Sequence, residues 1–450
     1  MRRLGTALLI TALLLLGAPV APAHAAPDGF TATEVSFTGN GGVVLHGTVL
    51  APPAGATRRP GIVMLEGAGN RGRSYLRPEA EAYARHGIVT LVYDKRTVGY
   101  SLLHRDYSVL ADDALAGLRL LRDRPDVDPA RLGLWALSEG AFVAPIAANR
   151  STDVTFLITV GAVGTTVAAQ TAWAYGTYLR HAGVHGALPR IMQTAAVGAT
   201  IEMGLFAEAD FDPVPAWQQV RQPVLAQWGQ LDRDSVPGLS SRLIGAALDR
   251  GGNPRHTIRV VPGTNHNLHR TAADGFDRLP TLPSDYADFE TAWLTDPASA
   301  GAAASGPALP DEPALTPAGS TWAHFAVALV MLCAFAGYFL AGLVARRRSS
   351  RAARWLLALT PATVAGTCVY MFFMLATAAK VTGPVLLGRP LPWLALQLLA
   401  VATVAVTAVV ATTWRHHRGL DAAERLRLAL LTTGGALFIA WAVQWGLLLP

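Results

Sequence analysis

The sequence predicts an α/β domain, a mostly parallel sheet flanked by helices, joined to an all-α transmembrane bundle of four helices. Three observations carry this. Residues 30–293 alternate short β-rich runs with helical stretches, the pattern of βαβ units. Four apolar runs follow, at 322–345, 355–378, 391–413 and 428–449, and each can cross a bilayer as a helix, for which about 20 residues suffice. Between the two parts, 295–320 is rich in Ala, Gly, Pro and Ser and reads as a linker.

The elements follow in chain order. Residues 1–25 read as a secretory signal peptide: Arg2 and Arg3 are basic, 4–16 is an apolar run too short to span, and Ala23-His24-Ala25 is a small-residue cleavage signal. The α/β domain then occupies 26–294. Strands are expected at 33–38, 43–50, 61–66, 88–93, 131–136, 154–160, 223–228 and 257–262. Residues 106–122 read as an amphipathic helix with Leu110, Leu115, Leu118 and Leu121 on one side. Residues 164–215 break the rhythm with a long helical stretch carrying Trp173, Tyr175, Tyr178, Met192, Met203 and Phe206, expected to form a cap over a pocket. The linker and the membrane segment, 321–450, complete the chain.

Composition agrees once it is divided by region. The 450 residues are 51% hydrophobic and only 15% charged, with a net charge of +6. Residues 1–26 carry +2, 27–320 carry −5 and 321–450 carry +9, so the large domain is mildly acidic. A nucleic-acid binder would need a basic face on its folded domain, so that class is excluded. The membrane arginines concentrate between the first two spans (Arg346, Arg347, Arg348, Arg351, Arg354) and between the last two (Arg415, Arg418, Arg425, Arg427). Positive loops remain cytoplasmic, which puts the α/β domain on the outer side, in agreement with the signal peptide. Lys380, at a span end, is expected to snorkel to the interface. No acidic residue lies within a span, which argues against proton or ion transport. Cys333 and Cys368 lie in apolar runs, so a disulfide framework and a Cys-based zinc site are excluded. No H-E-x-x-H, P-loop or G-x-G-x-x-G after a strand is present, and no cofactor or metal is implied.

The chemistry-bearing segments share one form, an apolar strand opening into a loop. Leu132 to Ala136 runs into Ala136-Leu137-Ser138-Glu139-Gly140 and then an Ala-rich helix, a strand–turn–helix in which small residues flank a serine. Residues 223–229 end in Gly229-Gln230-Leu231-Asp232, and 258–262 are followed by loop His266. A serine hydroxyl is a weak nucleophile at neutral pH and needs an imidazole to take its proton. A carboxylate in turn holds the imidazole in the right tautomer. Asp234 competes with Asp232 for the acid, and His256 and His269 with His266 for the base.

With these motifs in order, residues 30–293 resemble the α/β-hydrolase superfamily, in particular the dienelactone-hydrolase/serine-aminopeptidase-like bacterial esterases. The further matching segments are Glu66-Gly67-Ala68-Gly69 and Tyr93-Asp94-Lys95-Arg96-Thr97-Val98-Gly99-Tyr100-Ser101. The resemblance implies an α/β-hydrolase fold with a catalytic triad of Ser138, Asp232 and His266 and an oxyanion hole from the backbone N–H groups of Ala68 and Glu139. It implies a serine hydrolase, esterase- or lipase-like ahead of peptidase, acting on an ester, thioester or amide through an acyl-enzyme. The expected partners are a small-molecule or lipid-like acyl substrate and the bilayer, with no nucleic acid. Asp94 and Arg96 are expected to be structural, bracing the Gly-rich loop. Glu66 stands where the family has His, Thr97 where it has Gly, and Ala136 where it has the first Gly. These departures sustain a second reading, a catalytically silent α/β-hydrolase-fold sensor or assembly module.

Overall fold

The computed structural model describes residues 24–25, 29–296, 309, 321–344, 346–416 and 420–448. Of the segment 1–25 expected as a signal peptide only His24 and Ala25 are among the described residues, and nearly all of the expected linker lies outside them.

Nine strands form one sheet: β1 (His24–Ala25), β2 (Thr31–Thr38), β3 (Val44–Ala51), β4 (Arg59–Leu65), β5 (Val89–Tyr93), β6 (Val127–Leu137), β7 (Leu157–Val160), β8 (Val224–Gly229) and β9 (His256–Val261). Their order is β1-β2-β3-β5-β4-β6-β7-β8-β9. Pairing is antiparallel from β1 to β5 and parallel from β5 to β9. From β2 onward this is the strand order of the α/β-hydrolase fold. The expected strands are all present. The chief extension is β6, which begins at Val127 because Arg59 of β4 already pairs there.

The helices of this part are α1 (Arg77–Arg85), α2 (Tyr107–Arg122), α3 (Gly140–Arg150), α4 (Val167–His181), α5 (Ala187–Ile191), α6 (Val197–Glu202), α7 (Val214–Gln219), α8 (Pro237–Arg250) and α9 (Asp288–Thr295). Helix α2 starts where Asp106 accepts hydrogen bonds from the N–H groups of Ser108 and Val109. It buries Leu110, Leu118 and Leu121 with Phe142, Trp217 and Ile244 against one sheet face. Helices α1 and α9 cover the other face with Tyr83, Ala84 and Trp293. Each buried Leu, Ile or Phe side chain among these stabilises the domain by about 1.5–3 kcal/mol. The central strands are covered on both faces and are therefore largely apolar, with Thr90, Thr159 and Gln227 among the buried polar side chains.

Arg96 departs from its expected role. Its guanidinium donates twice to Asp113 of α2, at 2.6 and 2.8 Å, and once to the carbonyl of Asn40 at 2.7 Å. It ties α2 to the β2–β3 turn and does not reach the Gly-rich loop.

The bundle consists of α10 (Thr321–Val344), α11 (Arg351–Ala376), α12 (Leu391–His416) and α13 (Ala422–Gln444), each long and apolar enough to cross a membrane. Helix α10 packs along α13, α11 along α12, and α12 against α13. A short hairpin, β10 (Val385–Leu386) with β11 (Arg389–Pro390), joins α11 to α12. The last helix is shifted from its expected span. Asp421 caps it by accepting from the Glu424 N–H, and the chain turns at Gly446 with φ +68°. Arg425 and Arg427 thus lie in its first turns. Arg427 is buried, paired with Glu424 at 2.8 Å and stacked on Tyr338.

The cap helices rest on one end of this bundle. Leu179, Leu188, Ile191 and Met192 share a buried cluster with Met374, Trp393 and Trp441. The His185 N–H donates to the Gly388 carbonyl at 2.8 Å, and the Trp322 N–H to Glu202 at 3.0 Å. The arginine-rich turns are at the opposite end, where Arg347 pairs with Asp421.

Removing one partner of a buried ion pair leaves an uncompensated charge. Arg96→Met should therefore destabilise the protein by about 3–5 kcal/mol. The check is thermal unfolding of the full chain in detergent; an unshifted transition would show that the pair contributes nothing net.

Candidate active site

All the singled-out loops leave the carboxyl ends of parallel strands, the edge where open α/β sheets bind ligands. Ser138 follows β6 and adopts φ +52°, a conformation costly for any residue with a Cβ. The turn is held by a hydrogen bond from the Ser138 N–H to the Val160 carbonyl at 3.0 Å. Gly140 must lack a side chain, since a Cβ there would sit 2.7 Å from the Leu65 carbonyl oxygen. Ala136 is fully buried, so the methyl group in place of the first Gly is accommodated.

Asp232, beyond β8, is buried and accepts from the N–H groups of Asp234 (2.8 Å) and Ser235 (3.0 Å) and from the Ser235 hydroxyl (2.6 Å). His266 Nδ1 lies 2.9 Å from Asp232 Oδ2. Burial alone would raise the Asp232 pKa, but the His266 imidazole and these hydrogen bonds outweigh it and hold the carboxyl below its ordinary value. Burial alone would lower the His266 pKa; the adjacent carboxylate reverses this and holds it above the ordinary value. An ionised carboxylate at Nδ1 fixes the proton there and leaves Nε2 as the acceptor. Gly161 backs the ring so closely that a Cβ would approach His266 Cε1 to 2.5 Å.

The competing residues are engaged elsewhere. His269 is buried between Glu79 (2.8 Å) and the Leu279 carbonyl (2.7 Å). His256 lies 2.8 Å from the Asn253 carbonyl at the start of β9. Asp234 accepts from the Tyr178 hydroxyl at 3.2 Å and lies 3.7 Å from Lys380 Nζ. Lys380 therefore does not simply snorkel: α11 ends beneath the cap, and the ammonium meets a protein carboxylate and the Tyr178 ring.

Two cations not singled out by the sequence converge on Glu139, and one of them, Lys95, also holds the Gly-rich loop. Lys95 Nζ donates to the carbonyls of Gly67 (2.5 Å) and Gly69 (3.0 Å) and to Glu139 (2.8 Å). Arg105 reaches the other Glu139 oxygen at 2.6 Å, and Tyr100 donates to Glu139 at 2.7 Å. Burial opposes the Glu139 charge, yet Lys95 and Arg105 hold its pKa below the ordinary value. The Gly67 carbonyl and the Ala68 N–H belong to one planar trans peptide, so a carbonyl turned toward Lys95 turns the Ala68 N–H the opposite way. Among the described residues, the N–H groups of Ala68 and Glu139 donate to no protein acceptor. Glu66 accepts from the Arg71 N–H at 2.7 Å, and burial raises its pKa. The one signal for Lys95 in the sequence was rarity: it and Lys380 are the two lysines among 37 basic residues.

Ala68, Ser138, Glu139 and His266 line one end of a cavity of about 1100 Å³, which continues beneath the cap past Tyr175 and Tyr178.

No protein-family model matches the chain. Over 131 residues it is 31% identical to the thiohydrolase apmlB of Arthrinium phaeospermum, covering 28% of this chain and 42% of that protein. Over 85 residues it is 34% identical to the polyketide transferase claH of Penicillium crustosum, covering 18% of this chain and 28% of that protein. The chain thus spans less than half the length of these curated relatives. Among solved structures, it resembles the α/β hydrolase GrgF from Penicillium sp. sh18 with a TM-score of 0.36 and 18% identity, over 52% of this chain and 91% of that one.

Lys95→Met should slow phosphonylation of Ser138 by a fluorophosphonate about 10²–10³-fold, the usual cost of one lost oxyanion donor. With an ester substrate, kcat should fall while KM holds. Lys95→Arg should not restore the rate, since a planar fork cannot converge on three acceptors as a compact ammonium does. A wild-type rate in Lys95→Met would show that the loop keeps its shape without the cation.

Proposed function

We propose that the chain is a membrane-tethered serine hydrolase, its α/β domain extracytoplasmic, cleaving an ester, thioester or amide acyl bond. The observation that carries this is the buried Asp232–His266 pair opening on the same cavity as Ser138, which is held at positive φ. Ser138 Oγ attacks the carbonyl carbon while His266 Nε2 takes its proton. The oxyanion receives the N–H groups of Ala68 and Glu139. His266 returns the proton to the leaving group, which leaves an acyl ester on Ser138. Water, deprotonated by the same imidazole, then releases the carboxylic acid and restores the serine. The partial likeness to a thiohydrolase supports hydrolytic chemistry, and thioesters belong in the first substrate panel. The arginine-rich turns lie at the bundle end away from the α/β domain, which supports the outward orientation by the positive-inside rule.

A fluorophosphonate probe on the full-length protein in detergent should label Ser138, and Ser138→Ala should abolish the label. Labelling that survives the substitution would sink the assignment. The pH profile provides a second check. His266 must be neutral to accept a proton, and its pKa is held above the ordinary value, so activity rises with pH through that raised value. Asp232→Asn removes the charge that raises it, which should move the acidic limb of kcat/KM to lower pH and reduce kcat by roughly 10⁴. An unmoved limb would mean that Asp232 does not govern His266.

A further inference from the structure

The cavity at Ser138 does not end within the α/β domain. It passes under α4 and descends into the bundle along α11, from Ala376 to Val364. Those positions are twelve residues apart, about 18 Å at helical rise. Its other walls include Phe325 and Ala328 of α10 and Trp441 of α13. Helices α10 and α11 barely touch, each packing on another neighbour, so the cavity here is a cleft between them. Phe372 lines it while 71% exposed, so the wall is open on one side. The Thr367 hydroxyl donates to the Thr363 carbonyl at 2.8 Å, which leaves no unmet polar demand in the wall from that side chain.

We propose that this cleft holds the long acyl chain of a lipid ester, which enters laterally from the outer leaflet and presents its carbonyl to Ser138. The proposal rests on the serine hydrolase reading above and gives the bundle a part in substrate binding. The match of length supports it. A bilayer's hydrocarbon core is about 30 Å thick, so one leaflet reaches about 15 Å, close to the depth of the cleft. Continuity supports it too: a chain lying against α11 reaches the space beside Ser138 and His266 within one cavity, passing the polar pair of Lys380 and Asp234 at the junction with the bundle.

The test uses the full chain in phosphatidylcholine nanodiscs with p-nitrophenyl acetate and p-nitrophenyl myristate. Ala328→Trp and Val364→Trp should each lower kcat/KM for the myristate by about tenfold or more while the acetate stays within about twofold. Leu329→Trp, at an exposed position outside the cleft, should change neither. Equal losses on both esters, or no loss on the myristate, would overturn the proposal. A binding readout separates it from the hydrolase reading. In Ser138→Ala protein, a diazirine-bearing fatty acyl ester in phosphatidylcholine vesicles should cross-link to residues 364–376 of α11. Cross-links confined to outward positions such as Leu329 would overturn the cleft. Cleft cross-links in Ser138→Ala protein, with a wild-type protein that hydrolyses neither ester, would instead overturn the hydrolase reading and leave the chain-binding cleft standing.

Discussion

The ion pair between Lys95 and Glu139 is the contact on which the rest of the site depends. Glu139 follows Ser138 directly, lines the cavity and buries its side chain. Lys95 holds that carboxylate and also two carbonyls of the Gly-rich loop after β4. One buried ammonium therefore links the two loops that carry the N–H groups of Ala68 and Glu139, unpaired among the described residues. Burying such charges is costly in general, and the pair is tolerable because Arg105 and Tyr100 supply further donors to Glu139. The arrangement stabilises geometry more than it stabilises the fold.

The sheet makes this possible by bringing distant residues to one edge. Ser138, Asp232 and His266 are far apart in sequence, but β6, β8 and β9 run parallel and release their loops on one side. The strain at Ser138 is sustained because its neighbours leave no alternative: the Val160 carbonyl fixes its N–H, and Gly140 lies against β4. Arg96 acts a layer further out, fixing α2 and the β2–β3 turn.

Much of this was legible in the sequence. Strands announced themselves because the central sheet is buried on both faces and its segments read as continuous apolar runs. The pairing of Asp232 with His266 was legible from spacing, since each follows a strand by a short loop. Contacts made by residues without a local pattern were not. Lys95 and Arg96 are adjacent cations, and nothing in the local sequence says which turns toward the Gly-rich loop and which toward α2. Lys380 has the sequence context of a membrane-end lysine because sequence does not reveal what packs above a helix. The start of α13 is hidden in the sequence for a related reason. Hydropathy begins at Leu428, whereas the helix begins where Asp421 caps it.

The packing of the cap on the bundle has a consequence for how the protein holds together. Gly446 lies so close to Ala187 that a Cβ on it would approach within 2.5 Å, and the Met192 and Trp441 cluster seals the same junction. The two parts are thus joined by a packed, interlocked seam beside the cavity as well as by the peptide chain. Cutting the chain between 297 and 320 would not set the α/β part adrift; both pieces would migrate as one particle. Expressed without the bundle, that part would carry an uncovered greasy underside into water, so its natural solvent is in part the protein's own membrane helices.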